Sequence, residues 1–132
     1  MKTPRGIRNN NPLNIRRGQS WRGLRPKQTD SEFCQFITMA WGIRAACRIL
    51  RTYRRRGWVT VTQIIEHWAP QTENNTTAYI KYVCLRNKWP EHRCILDSDF
   101  IPLLTAMAAV ECNNYPIDPS IFIEGYDKYK IY

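Results

Sequence analysis

Apolar residues recur at helical spacing over the chain from Trp41 onward. This period predicts a first amphipathic helix from Trp41 to a stop at Gly57, with arginines on its other face. A second helix is predicted to open at Thr60 and to end at Pro70, because proline cannot continue a helix. Three further helices are predicted to follow polar capping residues at positions 74–77, 97–99 and 118–120, the last helix being short.

The segment before Trp41 has a different pattern and is rich in Arg, Asn, Gly and Pro. Short apolar stretches at 13–16, 21–24 and 33–37 predict three strands, with a turn at 18–20. We therefore expect a small N-terminal β-hairpin or three-stranded sheet. The predicted fold class is α+β, mainly α, in one domain that spans residues 1–132.

The charge balance is basic, since 20 Lys and Arg face 11 Asp and Glu, which gives a net charge of +9. Such a charge favours a polyanionic partner: nucleic acid, an anionic membrane surface or a bacterial wall that carries carboxylates. No apolar run approaches the roughly 18 residues of a membrane span. Residues 1–5 lack the apolar core of a secretory signal peptide, so we expect synthesis in the cytoplasm. A substrate beyond the membrane would then require delivery by a virion, a holin or a secretion machine.

The five cysteines are odd in number and include no CxxC spacing, and His67 and His92 do not stand at metal-ligand spacing. We therefore expect neither a metal nor another cofactor. Cys47 and Cys84 fall in apolar helical patterns and are predicted to be core residues. The sequence leaves open whether two of the cysteines form a disulfide, which requires an oxidising compartment. No Ser or Cys stands in a recognisable nucleophile elbow.

Glu111 is the strongest candidate for a catalytic acid. Leu104, Met107 and Ala108 precede it by seven, four and three residues, which places Glu111 on the apolar face of its helix. Burial and the negative end of the helix dipole should both raise its pKa, as a glycosidase acid requires. The alternative is a helix-end carboxylate that reaches solvent or pairs with an arginine.

A second cluster of candidates lies between the second and third predicted helices. Trp68 offers an aromatic face for a sugar ring, Glu73 a carboxylate, and Asn75 an amide that can bind hydroxyl groups. Helix capping by the asparagines is the alternative explanation. Tyr79 follows in the third helix.

The third cluster is the asparagine-rich turn near the N-terminus. Asn10 and Asn11 precede Pro12, and Asn14 and Arg16 follow within a few residues, so that several amide donors share one turn. Asp30 and Glu32 in the next loop are candidate second carboxylates, with solvated loop acids as the alternative.

These segments resemble a phage and prophage protein family whose members are called structural protein P5 or peptidoglycan lytic exoenzyme. The resemblance runs over nearly the whole chain, with one departure at Leu13, where the family usually has Gly. It rests on residues 5–16, Trp21-Arg-Gly23, Phe33-x-x-Phe36, Gly42-Ile-Arg-Ala45, Trp68-Ala-Pro, Glu73-Asn-Asn-Thr76 and Tyr79. It implies an enzyme that degrades peptidoglycan.

A second resemblance concerns the glucosaminidases of the lysozyme superfamily. Residues 10–53 resemble their Asn-Asn turn, Trp-x-Gly hairpin and aromatic strand, but the catalytic helix that precedes this turn in those enzymes is missing here. Residues 106–114, which contain Glu111, resemble that helix at the other end of the chain. The resemblance implies a circularly permuted lysozyme-like domain, and close termini make such a permutation tolerable.

The main hypothesis is therefore cleavage of the peptidoglycan glycan strand, as a muramidase or a lytic transglycosylase. Glu111 would protonate the glycosidic oxygen, and Glu73 or Asp30 would be the second group. Without a second carboxylate nearby, a lytic transglycosylase is favoured, in which the sugar supplies its own nucleophile. The predicted substrate contacts are Asn10, Asn11, Asn14, Arg16, Trp68, Asn75 and Tyr79.

Two alternatives stay open. The first is a peptidoglycan endopeptidase that cuts the peptide cross-link, because this is the activity described for the lysin after which the first family is called. The second is a non-enzymatic basic virion or nucleic-acid-binding protein, favoured by the arginines at positions 44–56. A basic helix face is usually just solvated, so nucleic acid is the less favoured partner. Besides peptidoglycan, an immunity protein or a component of a virion or secretion system are the expected partners, and the expected place of action is the periplasm or cell wall.

Overall fold

A computed structural model describes residues 2–71 and 74–132 of the chain. The described residues form six α-helices: α1 Arg5–Arg8, α2 Met39–Arg55, α3 Val61–Trp68, α4 Thr76–Asn87, α5 Phe100–Glu111 and α6 Pro119–Ile131. A 3-10 turn, Asp97–Asp99, leads directly into α5. Within the described part of the chain, no helix has the length and apolar character that crossing a membrane requires.

The five predicted helices are confirmed, and capping side chains begin three of them. The Thr60 hydroxyl accepts from the Gln63 amide in a capping box at α3, and the Asn75 side chain accepts from the Ala78 amide at α4. Asp118 caps α6, which extends over 13 residues and is therefore longer than predicted. The short helix α1 was not predicted, because four residues carry no period.

Helices α2 to α6 all contribute side chains to the core. Leu103, Leu104 and Met107 of α5 are fully buried, and the thiols of Cys47 and Cys84 lie in the same core, as predicted. Helix α6 packs along α2, and a side chain at Gly125 would collide with Ile43. Because glycine removes this collision, the two helix backbones can approach closely.

The predicted N-terminal hairpin or sheet is absent from the described residues, so the α+β class was wrong and the chain is mainly helical. Two isolated antiparallel bridges, Arg16 with Phe33 and Leu24 with Phe36, are all that forms in this segment. The stretches at 13–16 and 21–24 therefore each touch the stretch at 33–37 rather than pairing with each other across the turn at 18–20.

Side chains take the place of a regular ladder in this segment. The Asn11 amide nitrogen donates to the carbonyls of Ile15 and Cys34, both at 2.9 Å, and its oxygen accepts from the Ile15 amide at 2.9 Å. The Gln28 oxygen likewise accepts from the Gln35 amide at 2.8 Å. Local side-chain bonds of this kind compete with strand pairing, and they account for isolated bridges where alternation predicted strands.

Candidate active site

Glu111 is the last residue of α5, and two donors hold its carboxylate. The Asn14 amide nitrogen donates to Oε1 at 2.9 Å, and the Tyr79 hydroxyl donates to Oε2 at 2.9 Å. The side chain therefore joins three parts of the fold, namely α5, α4 and the asparagine-rich turn. Such bracing limits the carboxylate to one orientation.

Burial raises the pKa of Glu111 above its usual value. The hydrogen bonds from Asn14 and Tyr79, and the nearby charge of Arg16, lower the pKa but do not cancel the effect of burial. Burial also raises the pKa of Tyr79 well above its usual value, with the Glu111 charge as the next cause, so this phenol stays a hydrogen-bond donor. The carboxyl group is thus shifted toward its protonated form.

Backbone conformation places the asparagine turn against α5. Asn14 has a φ of 52°, in the left-handed region that asparagine tolerates better than most residues. Gly6 of α1 lies so close that a Cβ there would stand 2.9 Å from the Asn14 side-chain oxygen. The indole nitrogen of Trp68 donates to the Leu13 carbonyl at 3.1 Å and ties the turn to α3.

Three adjoining cavities form a groove across Glu111, which we call the Glu111 groove. The central cavity, of about 160 Å³, is lined by Glu111 and shares Asn14, Arg16 and Trp68 with the aromatic cavity, of about 620 Å³. It also shares Asn74 with the amide cavity, of about 340 Å³. Glu111 therefore lines a cavity that adjoins the two others.

The two outer cavities differ in chemistry. The aromatic cavity is lined by the rings of Trp21, Tyr53, His67 and Trp68, together with Arg16 and Arg17. The amide cavity is lined by Asn74, Asn75, Asn113 and Asn114, together with Tyr79 and Tyr82. Among the described residues that line the groove, Glu111 is the only carboxylate.

One relative shows the family. A protein from Pseudoalteromonas phage PM2, named Protein P5, is 36% identical over 128 residues, which covers 93% of this chain and 80% of the relative. The chain belongs to the phage protein P5 family. The predicted resemblance to phage protein P5 is confirmed at this level, and no protein-family model matches the chain.

In this P5-family chain, Asp30 lies in an ion pair and outside the described lining of the groove. Arg5 donates to its two oxygens at 2.6 and 2.7 Å, and Asn9 donates at 3.0 Å. These bonds, the Arg5 bond above all, hold the pKa of Asp30 far below its usual range. A carboxylate that is committed to a guanidinium has a structural role here, and Glu73, the other candidate, lies outside the described residues.

Three predicted substrate contacts are engaged in the P5 fold itself. Asn10 donates to the carbonyls of Phe36 and Ile37, at 3.2 and 3.0 Å, and Asn11 is fully buried in the bonds described above. Asn75 caps α4 and also lines the amide cavity. The structure thus brings Asn14, Arg16, Trp68 and Tyr79 to Glu111, but leaves Asn10 and Asn11 outside the described groove lining.

Several residues that line the groove were not predicted from the sequence. Tyr53 was not named as a candidate, and its ring packs edge-on against Trp68 and lines the aromatic cavity. Arg17 was not named either, and Trp21 entered only as part of a predicted strand and of the family motif. Helical period shows which face is apolar, but it does not tell whether that face meets the core or a cavity.

No cluster of three His, Cys, Asp or Glu side chains suited to a metal ion occurs in the described residues. The thiol of Cys112, the residue that follows Glu111, donates to the Pro12 carbonyl at 3.4 Å. Burial raises the pKa of Cys112 to about 12, with the Glu111 charge as a second cause. This sulfur is therefore a neutral thiol and not a nucleophile.

Proposed function

We propose that this P5-family protein is a lysozyme-like lytic enzyme that cleaves the glycan strand of bacterial peptidoglycan, with Glu111 as its general acid. The observation that carries the proposal is a carboxyl group with a raised pKa that lines a cavity between neighbouring cavities with aromatic and amide linings. Aromatic faces suit sugar rings, and amides suit hydroxyl and acetamido groups. A carboxylic acid that keeps its proton near neutral pH can protonate a glycosidic oxygen.

The first step follows from this geometry. The Glu111 proton passes to the glycosidic oxygen, the bond from that oxygen to the anomeric carbon breaks, and the leaving sugar keeps the electron pair. Positive charge spreads over the anomeric carbon and ring oxygen. Asn14 and Tyr79 then each donate to one oxygen of the newly formed Glu111 carboxylate.

For the second step we propose the chemistry of a lytic transglycosylase, in which a hydroxyl group of the sugar itself is the nucleophile. It is supported by the engagement of Asp30 with Arg5, and by Glu111 being the only carboxylate among the described residues that line the groove. The oxygen of this hydroxyl group bonds to the anomeric carbon, and its proton returns to the Glu111 carboxylate. The product is an anhydro sugar, and Glu111 is restored in its protonated form.

The net charge of +9 also supports action at the wall, and the phage relative is consistent with a virion component. A wall that carries carboxylates attracts a basic protein, and salt weakens this attraction because it screens the charges. We propose that a virion, a holin or a secretion machine delivers the protein to the periplasm or wall.

The substitution Glu111→Gln tests the acid. It keeps the size of the side chain but removes the transferable proton, and a positioned general acid contributes roughly 100- to 10,000-fold to a rate. We expect lysis of purified bacterial walls, followed as loss of turbidity, to slow at least about 100-fold. Circular dichroism checks that the variant is folded.

Glu124→Gln is the matched control, because Glu124 is an exposed carboxylate on α6. We expect this variant to lyse walls at the rate of the unmodified protein. A folded Glu111→Gln variant with undiminished lysis would contradict the assignment of the acid.

A further inference from the structure

The two arms of the Glu111 groove differ in charge as well as in shape. No charged side chain occurs among the described residues that line the amide cavity. Arg16 and Arg17 are among the residues that line the aromatic cavity, and no described residue of its lining is acidic. Among the described residues, the lining of the aromatic cavity therefore has two arginines, whereas the lining of the amide cavity has no charged side chain.

Arg17 is the arginine that we consider for binding an anionic group of a ligand. Its Nη1 donates to the main-chain carbonyl of Asp30 at 3.0 Å, and its main-chain amide donates to the Glu32 carbonyl at 2.9 Å. These bonds fix the residue in place. Among the described residues no carboxylate pairs with its guanidinium, and most of its five donor hydrogens stay unused.

We propose that the aromatic cavity selects glycan strands that still carry peptide stems, and that Arg17 binds a free carboxylate of the stem. This inference rests on the proposed function and names the substrate form that the same site takes. The sugar rings at the cleavage point lie over Glu111, and the stem of a neighbouring sugar extends into the aromatic cavity.

The size and walls of the cavity fit such a stem. Its volume of about 620 Å³ lies within the usual range of ligand pockets, about 300–1,000 Å³. The rings of Trp21, Tyr53 and Trp68 provide apolar walls for the short side chains and methylene groups of a peptide, while Arg17 provides the charge. Arginine binds carboxylates through paired N–H donors, which gives the contact direction as well as attraction.

Three substrates separate the charge of the stem from its bulk. The first is glycan strands with intact stems, the second is the same strands after an amidase has removed the stems, and the third is strands whose stem carboxylates have been chemically amidated. We expect the protein to cleave the first with a higher kcat/KM than the second and third. Added salt should reduce this preference, because it screens an exposed charge.

Arg17→Gln is the test variant, and Arg55→Gln is the control. Arg55 is exposed at the end of α2 and is not among the described lining residues of the groove. We expect Arg17→Gln to lower the preference for stem-bearing strands roughly three- to tenfold, which is the range for a partly exposed charged contact. We expect Arg55→Gln to leave this preference unchanged.

Equal cleavage of all three substrates would overturn this inference and leave the proposed function standing. So would a preference that survives Arg17→Gln undiminished. Cleavage of none of them would overturn the proposed function and the inference together.

Discussion

The Tyr79 hydroxyl is bound to the Glu111 carboxylate rather than exposed for substrate. Tyr79→Phe keeps the buried ring but removes a donor that stabilises the ionised form of Glu111. The pKa of Glu111 should therefore rise further, and the alkaline limb of the pH–activity profile should move to higher pH. This profile is measured as the initial rate of wall lysis across pH.

Tyr126→Phe is the control for this positioning role. Tyr126 lies on α6 against the ring of Phe100, outside the described lining of the groove, and its variant should keep the alkaline limb in place. A loss of activity in Tyr79→Phe without any shift of the limb would indicate that Tyr79 only supports the packing of α4.

The pKa of the Asp30 carboxylate is shifted in the opposite direction to that of Glu111. Its pKa is lowered in the folded protein, so its stabilising contribution is present above the ordinary value of 3.8 and is lost as the pH falls through and below that value. Asp30→Asn should therefore be less stable than the unmodified protein at neutral pH, and the difference should shrink in acid. Urea unfolding at several pH values measures it.

The folded Asp30→Asn protein should retain its turnover rate, because Arg5 engages both oxygens of Asp30. A large fall in kcat with unchanged stability would contradict this structural role and indicate that Asp30 takes part in catalysis.

At the scale of elements, the helices could be predicted and the N-terminal segment could not. Helices α2 to α6 combine an apolar period with capping or stop residues, both of which are local properties of the chain. The alternation at 33–37 predicted a strand that does not form, although Cys34 and Phe36 are buried. It does not show that Asn11, more than twenty residues away, takes up the carbonyl of Cys34.

The same limit applies to the candidate site. Glu111 was found because its position on α5 is set by local spacing. Asn14, Arg16, Trp68 and Tyr79 were named, but what each contacts depends on packing between elements that are far apart in sequence. Tertiary packing also decides that Tyr53 lines a cavity, and no local pattern records this.

Asn11 is the residue that organises the segment between α1 and α2. Asn11→Ala removes three buried hydrogen bonds and leaves buried backbone groups without partners, which should lower the free energy of unfolding by about 2–4 kcal/mol. Asn75→Ala, which removes one exposed cap at α4, should cost only about 1 kcal/mol. Equal losses in chemical denaturation would contradict this role of Asn11.

At the scale of the whole molecule, the groove is formed by segments that are far apart in the sequence. The turn at 10–14 and the end of α5 meet at Glu111, with an Asn14–Glu111 hydrogen bond that joins residues 97 positions apart. This contact places Glu111 beside the asparagine-rich turn, in keeping with the glycan cleavage that we propose. The groove around Glu111 supports the wall-degrading role that we propose, whereas the net charge of +9 alone would suit several polyanionic partners.

Mass spectrometry of walls digested by the purified protein tests the central proposal most directly. We predict fragments with anhydromuramic ends, or with new reducing ends if water is the nucleophile, from the unmodified protein and none from Glu111→Gln. Peptide stems should stay attached to their sugars. Freed peptide stems on intact glycan strands would contradict glycan cleavage and indicate an endopeptidase instead.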